Sequence, residues 1–159
     1  MAPTVSIRRA EFPDVPAMAA IESASFSNPW HPHALQSLVS RDKAIVLVAV
    51  DEDRGLVGYA VCWWVLDEAE LANIAVREDC RGRGVGSALL DRVLDEIRAL
   101  QVDRVFLEVR MSNQRAHGLY LKRGFVQIGV RKGYYQKPVE DARILVKRLE
   151  PGEHSGKHL

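Results

Sequence analysis

Between Glu70 and Val109 the chain runs through an apolar segment ("ELANIAV"), a glycine-rich turn ("REDCRGRGVG"), a long amphipathic segment and a second apolar segment ("DRVFLEV"). In the long segment Leu89, Leu90, Val93, Leu94, Ile97 and Leu100 recur three and four residues apart, which marks one face of a helix. A strand, a helix and a strand joined in this way form a βαβ unit. Its two strands pair in parallel, and such a sheet needs cover on both faces. The unit predicts a single α/β (α+β) domain with a mixed sheet.

The remaining segments extend that architecture. "VSIRRA" reads as a first strand. "DVPAMAAIESASF" reads as a helix, with Asp14 near its start and Pro16 in its first turn, where proline is tolerated. "SNPWHPHALQSLV" reads as a proline-punctuated turn into a second short helix. "AIVLVAV" and "GLVGYAVCWWVL" are strand-length apolar runs, and "DEDRG" between them has the content of a hairpin turn. "NQRAHGLYLKRG" opens at Asn113, a good N-cap, and stops at Gly124, a good C-cap. "FVQIGVRKGYY" and "ARILVKRL" are the last strands. The total is about seven strands and four helices over residues 1–149. The polar tail 150–159 has no periodicity and is expected to be flexible.

Composition narrows the function. Apolar residues make up 47%, enough for a core, and the net charge of +1 argues against a general nucleic-acid binder. It leaves room for an acidic cofactor at one basic spot. Cys62 and Cys80 form no C-x-x-C pair, and His31 and His33 lack acidic or cysteine partners at ligand spacing, so no metal is expected. The N-terminal stretch has no apolar core of a secretory signal, and the run "GYAVCWWVL" is too short to span a bilayer. A cytoplasmic protein without membrane contact, a monomer or weak dimer, is expected.

The glycine-rich turn is the first chemical signal. Gly82, Gly84 and Gly86 can adopt backbone angles closed to other residues and leave their N–H groups uncovered. The first N–H groups of a helix lack internal partners, and the helix dipole adds partial positive charge there. Together they make a phosphate receptor, and Arg81 and Arg83 add formal charge. The plainer reading is a tight loop made soluble by its arginines. A Walker loop is excluded, because no lysine followed by Ser or Thr comes after the last glycine. The dinucleotide fingerprint fails too, since its last glycine position is Ser87.

The second signal is Glu108, in the middle of "VFLEVR". A carboxylate taken out of water is costly unless paired or neutralised. By alternation Phe106, Glu108 and Arg110 share a face, so Arg110 is the expected partner. The other reading is a general base, and both hold together if Arg110 orients it.

What fits the turn is Arg-x-x-Gly-x-Gly, read as Arg81, Gly84 and Gly86. With it the chain resembles the GNAT superfamily of acyl-CoA-dependent N-acetyltransferases over about residues 5–149. "DEAELANIAVREDCRGRGVGSALL", "FLEVRMSNQRAHGLY", the final "YY…EDA" and "NPWHPHAL" look like the bacterial ribosomal-protein-alanine N-acetyltransferases (RimI type). The resemblance implies strands four and five that splay apart and a turn, Arg81, Gly82, Arg83, Gly84, Val85, Gly86 and Ser87, that binds the pyrophosphate of acetyl-CoA. It implies that Ile74, Ala75 and Val76 offer amides to the thioester and pantetheine arm, and that Asn113 contacts the cofactor, beside its role as a helix cap. It assigns Glu108 as proton acceptor and Tyr120 as proton donor. It gives Tyr134 and Tyr135 as a pair lining the peptide groove, which Trp30 borders unless Trp30 is simply a core anchor. Cys80 departs from the larger residue common at its position.

The chemistry implied is direct acetyl transfer in a ternary complex to the N-terminal alanine of a small-subunit ribosomal protein. An α-amine has a pKa of about 7.7–8.0, so at neutral pH most of it is protonated and a base must act. Two alternatives stay open: another amine acceptor such as a lysine side chain, another protein N-terminus, a polyamine or a drug, and a non-catalytic acyl-CoA-binding module. The presence of both Glu108 and Tyr120 argues against the second.

Overall fold

The computed structural model describes residues 4–149; the tail expected to be flexible, 150–159, lies outside the described residues. Four helices and seven strands follow one another as β1 (Val5–Arg9), α1 (Val15–Ser25), α2 (Pro32–Val39), β2 (Ala44–Asp51), β3 (Gly55–Val65), β4 (Glu68–Val76), α3 (Val85–Ala99), β5 (Arg104–Arg110), α4 (Gln114–Lys122), β6 (Val126–Tyr135) and β7 (Glu140–Arg148). The strands form one mixed sheet in the order β1-β2-β3-β4-β5-β7-β6. The described residues divide into two compact units, 4–63 with 71–94 and 64–70 with 95–149.

In the first unit β2 and β3 pair antiparallel around the turn that "DEDRG" predicts. There the Asp51 carboxylate accepts from the amides of Asp53 (2.8 Å) and Arg54 (3.0 Å), and Gly55 takes a positive φ of 76°. Both strands are near-continuous apolar runs because both their faces are covered. Met18 and Ile21 of α1 and Leu35 of α2 pack with Val46, Val48, Tyr59 and Val61. On the opposite face Gly58 lies against Val85 and Leu89 of α3; a Cβ there would stand 3.0 Å from the Ala75 carbonyl oxygen. That close approach is why the position is glycine.

In the second unit the parallel ladder of the βαβ unit pairs Glu68, Ala69 and Glu70 with Arg104, Val105 and Phe106. The other edge of β5 pairs along its whole length with β7, which in turn carries β6. Val105, Leu107 and Val109 are buried, and Arg104, Phe106, Glu108 and Arg110 form the partly exposed face, as alternation predicts. The helix α3 ends at Ala99, so Leu100 leaves the predicted apolar stripe and is 44% exposed. Among the described residues no helix is long and apolar enough to cross a membrane.

Candidate active site

The glycine-rich turn leaves β4 at Val76 and passes through a short 3-10 turn, Glu78–Cys80. Gly82 and Gly84 have φ of 77° and 87°, the left-handed region that favours glycine. Gly84 sits at the head of α3, where its carbonyl accepts the first helical bond from Ala88 (3.0 Å). The amides of Val85, Gly86 and Ser87 then fall in the helix's first turn, where helical geometry supplies no partner. Buried Val85 anchors this turn.

The two arginines differ in use. Arg81 folds back onto the loop: its Nε donates to the Val76 carbonyl (2.9 Å) and its guanidinium to the Ser25 hydroxyl (3.3 Å). Besides adding charge, it fixes the path from strand to helix. Arg83 is exposed. Cys80 is buried, with its thiol beside Asp79 and the Arg54 guanidinium; Cys62 is buried as well, and neither is in a disulfide. Of the strand residues Ala75 is buried and Ile74 and Val76 are half-buried.

The Glu108 side chain, 16% exposed, forms an ion pair with Arg131 of β6 (2.7 Å). Its charge also acts on the Tyr134 hydroxyl. Arg110 is drawn to Glu140 (3.0 Å) and to the carbonyls of Gln136 (2.9 Å) and Pro138 (3.1 Å), and it lies over the Tyr135 ring. Glu140 also accepts from the Ser112 amide (2.5 Å). A planar guanidinium with several donors goes where several acceptors converge, and the turn before β7 offers three.

Tyr134 and Tyr135 stand edge to face, their ring centres 5.0 Å apart. Burial first, and then the Glu108 charge, push the Tyr135 hydroxyl well above its ordinary pKa. Tyr134 is raised too, by burial and then by Glu108. Tyr120 is buried on α4 with its ring against Phe125, and burial pushes its hydroxyl well up, with a smaller contribution from Tyr135. All three phenols hold their protons at neutral pH. Asn113 caps α4, its side chain accepting from the Ala116 amide (3.1 Å). The helix is followed by Gly124 at a φ of 89°.

Trp30 is half-buried against the core of the first unit and stacks on Trp63 at 6.3 Å, with Arg41 over the Trp63 ring. Its backbone N–H donates to Glu22 (2.9 Å), a carboxylate that sequence reasoning missed. Glu22 is 2% exposed and also accepts from the Asn73 amide (2.8 Å) and the Tyr59 hydroxyl. The signal was present: Glu22 continues the apolar stripe of Val15 and Met18 on α1. Among the described residues no group of three or more His, Cys, Asp or Glu is placed to hold a metal ion. His31 instead caps α2, its ring nitrogen accepting from the His33 amide.

A sequence model of the acetyltransferase (GNAT) family matches residues 15–125. The [ribosomal protein bS18]-alanine N-acetyltransferase of Escherichia coli K12 is 34% identical over 138 residues, covering 87% of this chain and 90% of that protein. The corresponding protein of Haemophilus influenzae is 34% identical over 132 residues, with 83% and 88% covered. The crystal structure of the Escherichia coli ribosomal-protein-S18-alanine N-acetyltransferase superposes with a TM-score of 0.84 at 33% identity, covering 94% of this chain and 97% of that one. The glycine turn at the head of α3, the seven-stranded mixed sheet and these likenesses agree: the chain belongs to the GNAT family of acetyltransferases.

Proposed function

We propose that this protein transfers the acetyl group of acetyl-CoA to the α-amine of an N-terminal alanine on a ribosomal protein. The observation that carries the reading is Glu108: a carboxylate on a half-buried strand face, set between Arg131 and Tyr134, within a chain similar to the ribosomal protein bS18-alanine N-acetyltransferases. The positive φ of Gly82 and Gly84 and the first-turn amides of α3 suit a pyrophosphate, so residues 81–87 are assigned to acetyl-CoA. The side-chain oxygen of Asn113 already accepts from Ala116, so its contact to the cofactor is assigned to its amide nitrogen.

The steps conserve protons and electrons. Glu108, directly or through a water, takes one proton from the acceptor ammonium. The freed amine attacks the thioester carbonyl, and the oxyanion is met by backbone amides at Ile74, Ala75 and Val76. Glu108 passes its proton to solvent, takes the second proton from the nitrogen of the intermediate, directly or through the same water, and the intermediate collapses, breaking the C–S bond. Tyr120, neutral because it is buried, protonates the departing thiolate and is then reprotonated from solvent. Tyr134, Tyr135 and Trp30 are assigned to the acceptor peptide.

The test is incubation with acetyl-CoA and a peptide panel: free N-terminal alanine, the same peptide N-terminally blocked with one internal lysine, and a polyamine. Mass spectrometry should locate the acetyl group on the alanine nitrogen. Turnover of the blocked peptide or polyamine in preference would overturn the acceptor.

A further inference from the structure

Arg131 lies on β6, and β6 is separated from β5 by the whole of β7. The Glu108 position pairs with Ile144, Ile144 with Gly129, and Arg131 pairs two residues further along with Ala142. Its guanidinium therefore crosses an intervening strand, about 10 Å of sheet, to reach a single carboxylate oxygen. A structural ion pair between neighbours would not need that reach. The Arg131 side chain is 58% exposed while Glu108 is 16% exposed, so one partner is free to swing and the other is not. The Arg131 guanidinium also lies over the Tyr134 ring, 5.1 Å from its centre, which gives it a second resting place.

We propose that Arg131 is the resident counter-ion of Glu108: its guanidinium holds the carboxylate before the acceptor arrives, and the acceptor's ammonium displaces it on binding. The inference rests on Glu108 being the base. A carboxylate has about four lone-pair positions and Arg131 pairs with one of its oxygens, so the ammonium can approach before Arg131 has left. The other charged and titratable groups around the site are accounted for. Arg110, on the same strand face, is tied to Glu140 of β7 and to the turn carbonyls. Tyr135 of β6 and Tyr120 of α4 are neutral phenols. Arg143 of β7 donates to Gln127 (2.9 Å). Glu70 of β4 acts on Tyr134 through its charge.

The test is steady-state kinetics of wild type, Arg131→Met, Arg131→Lys and Glu108→Gln with acetyl-CoA and an acceptor peptide. In Arg131→Met the acceptor KM should fall several-fold, with the KM for acetyl-CoA unchanged, because the ammonium no longer competes with a resident cation. Arg131→Lys should restore the wild-type acceptor KM. An acceptor KM in Arg131→Met equal to wild type or higher, while Glu108→Gln is inactive, overturns the counter-ion alone. Full turnover by Glu108→Gln overturns the base assignment and the counter-ion with it.

Discussion

The backbone N–H of Trp30 donates to the Glu22 side chain at 2.9 Å, so the connection between α1 and α2 hangs on a polar group that is 2% exposed. The same side chain takes Asn73 of β4 and Tyr59 of β3. Glu22→Ala would leave three donors in an apolar cluster, each costing about 1–3 kcal/mol when left without a partner. These costs overlap, and a net loss of about 3 kcal/mol is expected in urea unfolding. Glu22→Gln keeps an acceptor oxygen and should lose less. Equal losses for the two variants would mean that the site reads charge and not hydrogen bonding.

Two glycines of the first unit should fail in different ways. Gly84 has a φ of 87° with open space where a Cβ would go, so Gly84→Ala meets backbone strain only, about 1 kcal/mol. If the loop holds the cofactor, the KM for acetyl-CoA should rise about fivefold, with the acceptor KM unchanged. Gly58→Ala meets the Ala75 carbonyl oxygen at 3.0 Å and Leu89 at 3.2 Å, and should lower stability by about 1–3 kcal/mol. Steady-state kinetics and thermal unfolding on the two variants separate the effects.

What could be read from the sequence is what local periodicity records. The stripe Leu89, Leu90, Val93, Leu94 and Ile97 gave α3, and the stop at Gly124 and cap at Asn113 gave α4. The face shared by Phe106, Glu108 and Arg110 followed from alternation alone. The partner of Glu108 did not. Arg110 is two residues away and on the right face, but it is engaged by Gln136, Pro138 and Glu140, which are near only after β7 pairs with β5. Arg131 reaches Glu108 across a strand, a relation that depends on sheet order and leaves no trace in spacing. Glu22 was hidden for the opposite reason. Its position on an apolar stripe was visible, but its donors come from three separate elements.

The start of α1 gives a pH dependence. Arg8 meets Asp14 with two hydrogen bonds, 2.8 and 2.9 Å, and the Glu11 amide donates to Asp14 at 2.7 Å. The bond to Arg8 above all, and then the Glu11 amide, hold the Asp14 carboxyl below its ordinary pKa against the opposing effect of burial. A lowered folded-state pKa stabilises the fold above the unfolded value, about 3.9, and that contribution disappears as pH falls toward the folded value. Unfolding free energy should therefore drop below about pH 4, and Asp14→Asn should flatten part of that slope. An unchanged slope would show that Asp14 has the same proton affinity in both states.

Tyr120 allows a test of the leaving-group step. Its ring packs edge-on against Phe125 at 5.6 Å, and Tyr120→Phe keeps that contact while removing only the hydroxyl. Thermal stability should change little. Burial holds the hydroxyl neutral through the working range, so the wild type has a proton to give wherever the amine can attack. If Tyr120 is the proton donor, the thiolate must leave unassisted without it, and kcat should fall on the order of tenfold to a hundredfold, less than in Glu108→Gln. The loss should depend on the acyl donor. A thioester of a more acidic thiol needs less help to leave, so the gap between Tyr120→Phe and wild type should narrow with such a donor. A gap of the same size with both donors would mean that Tyr120 acts before C–S cleavage, and equal turnover with acetyl-CoA would mean that water supplies the proton.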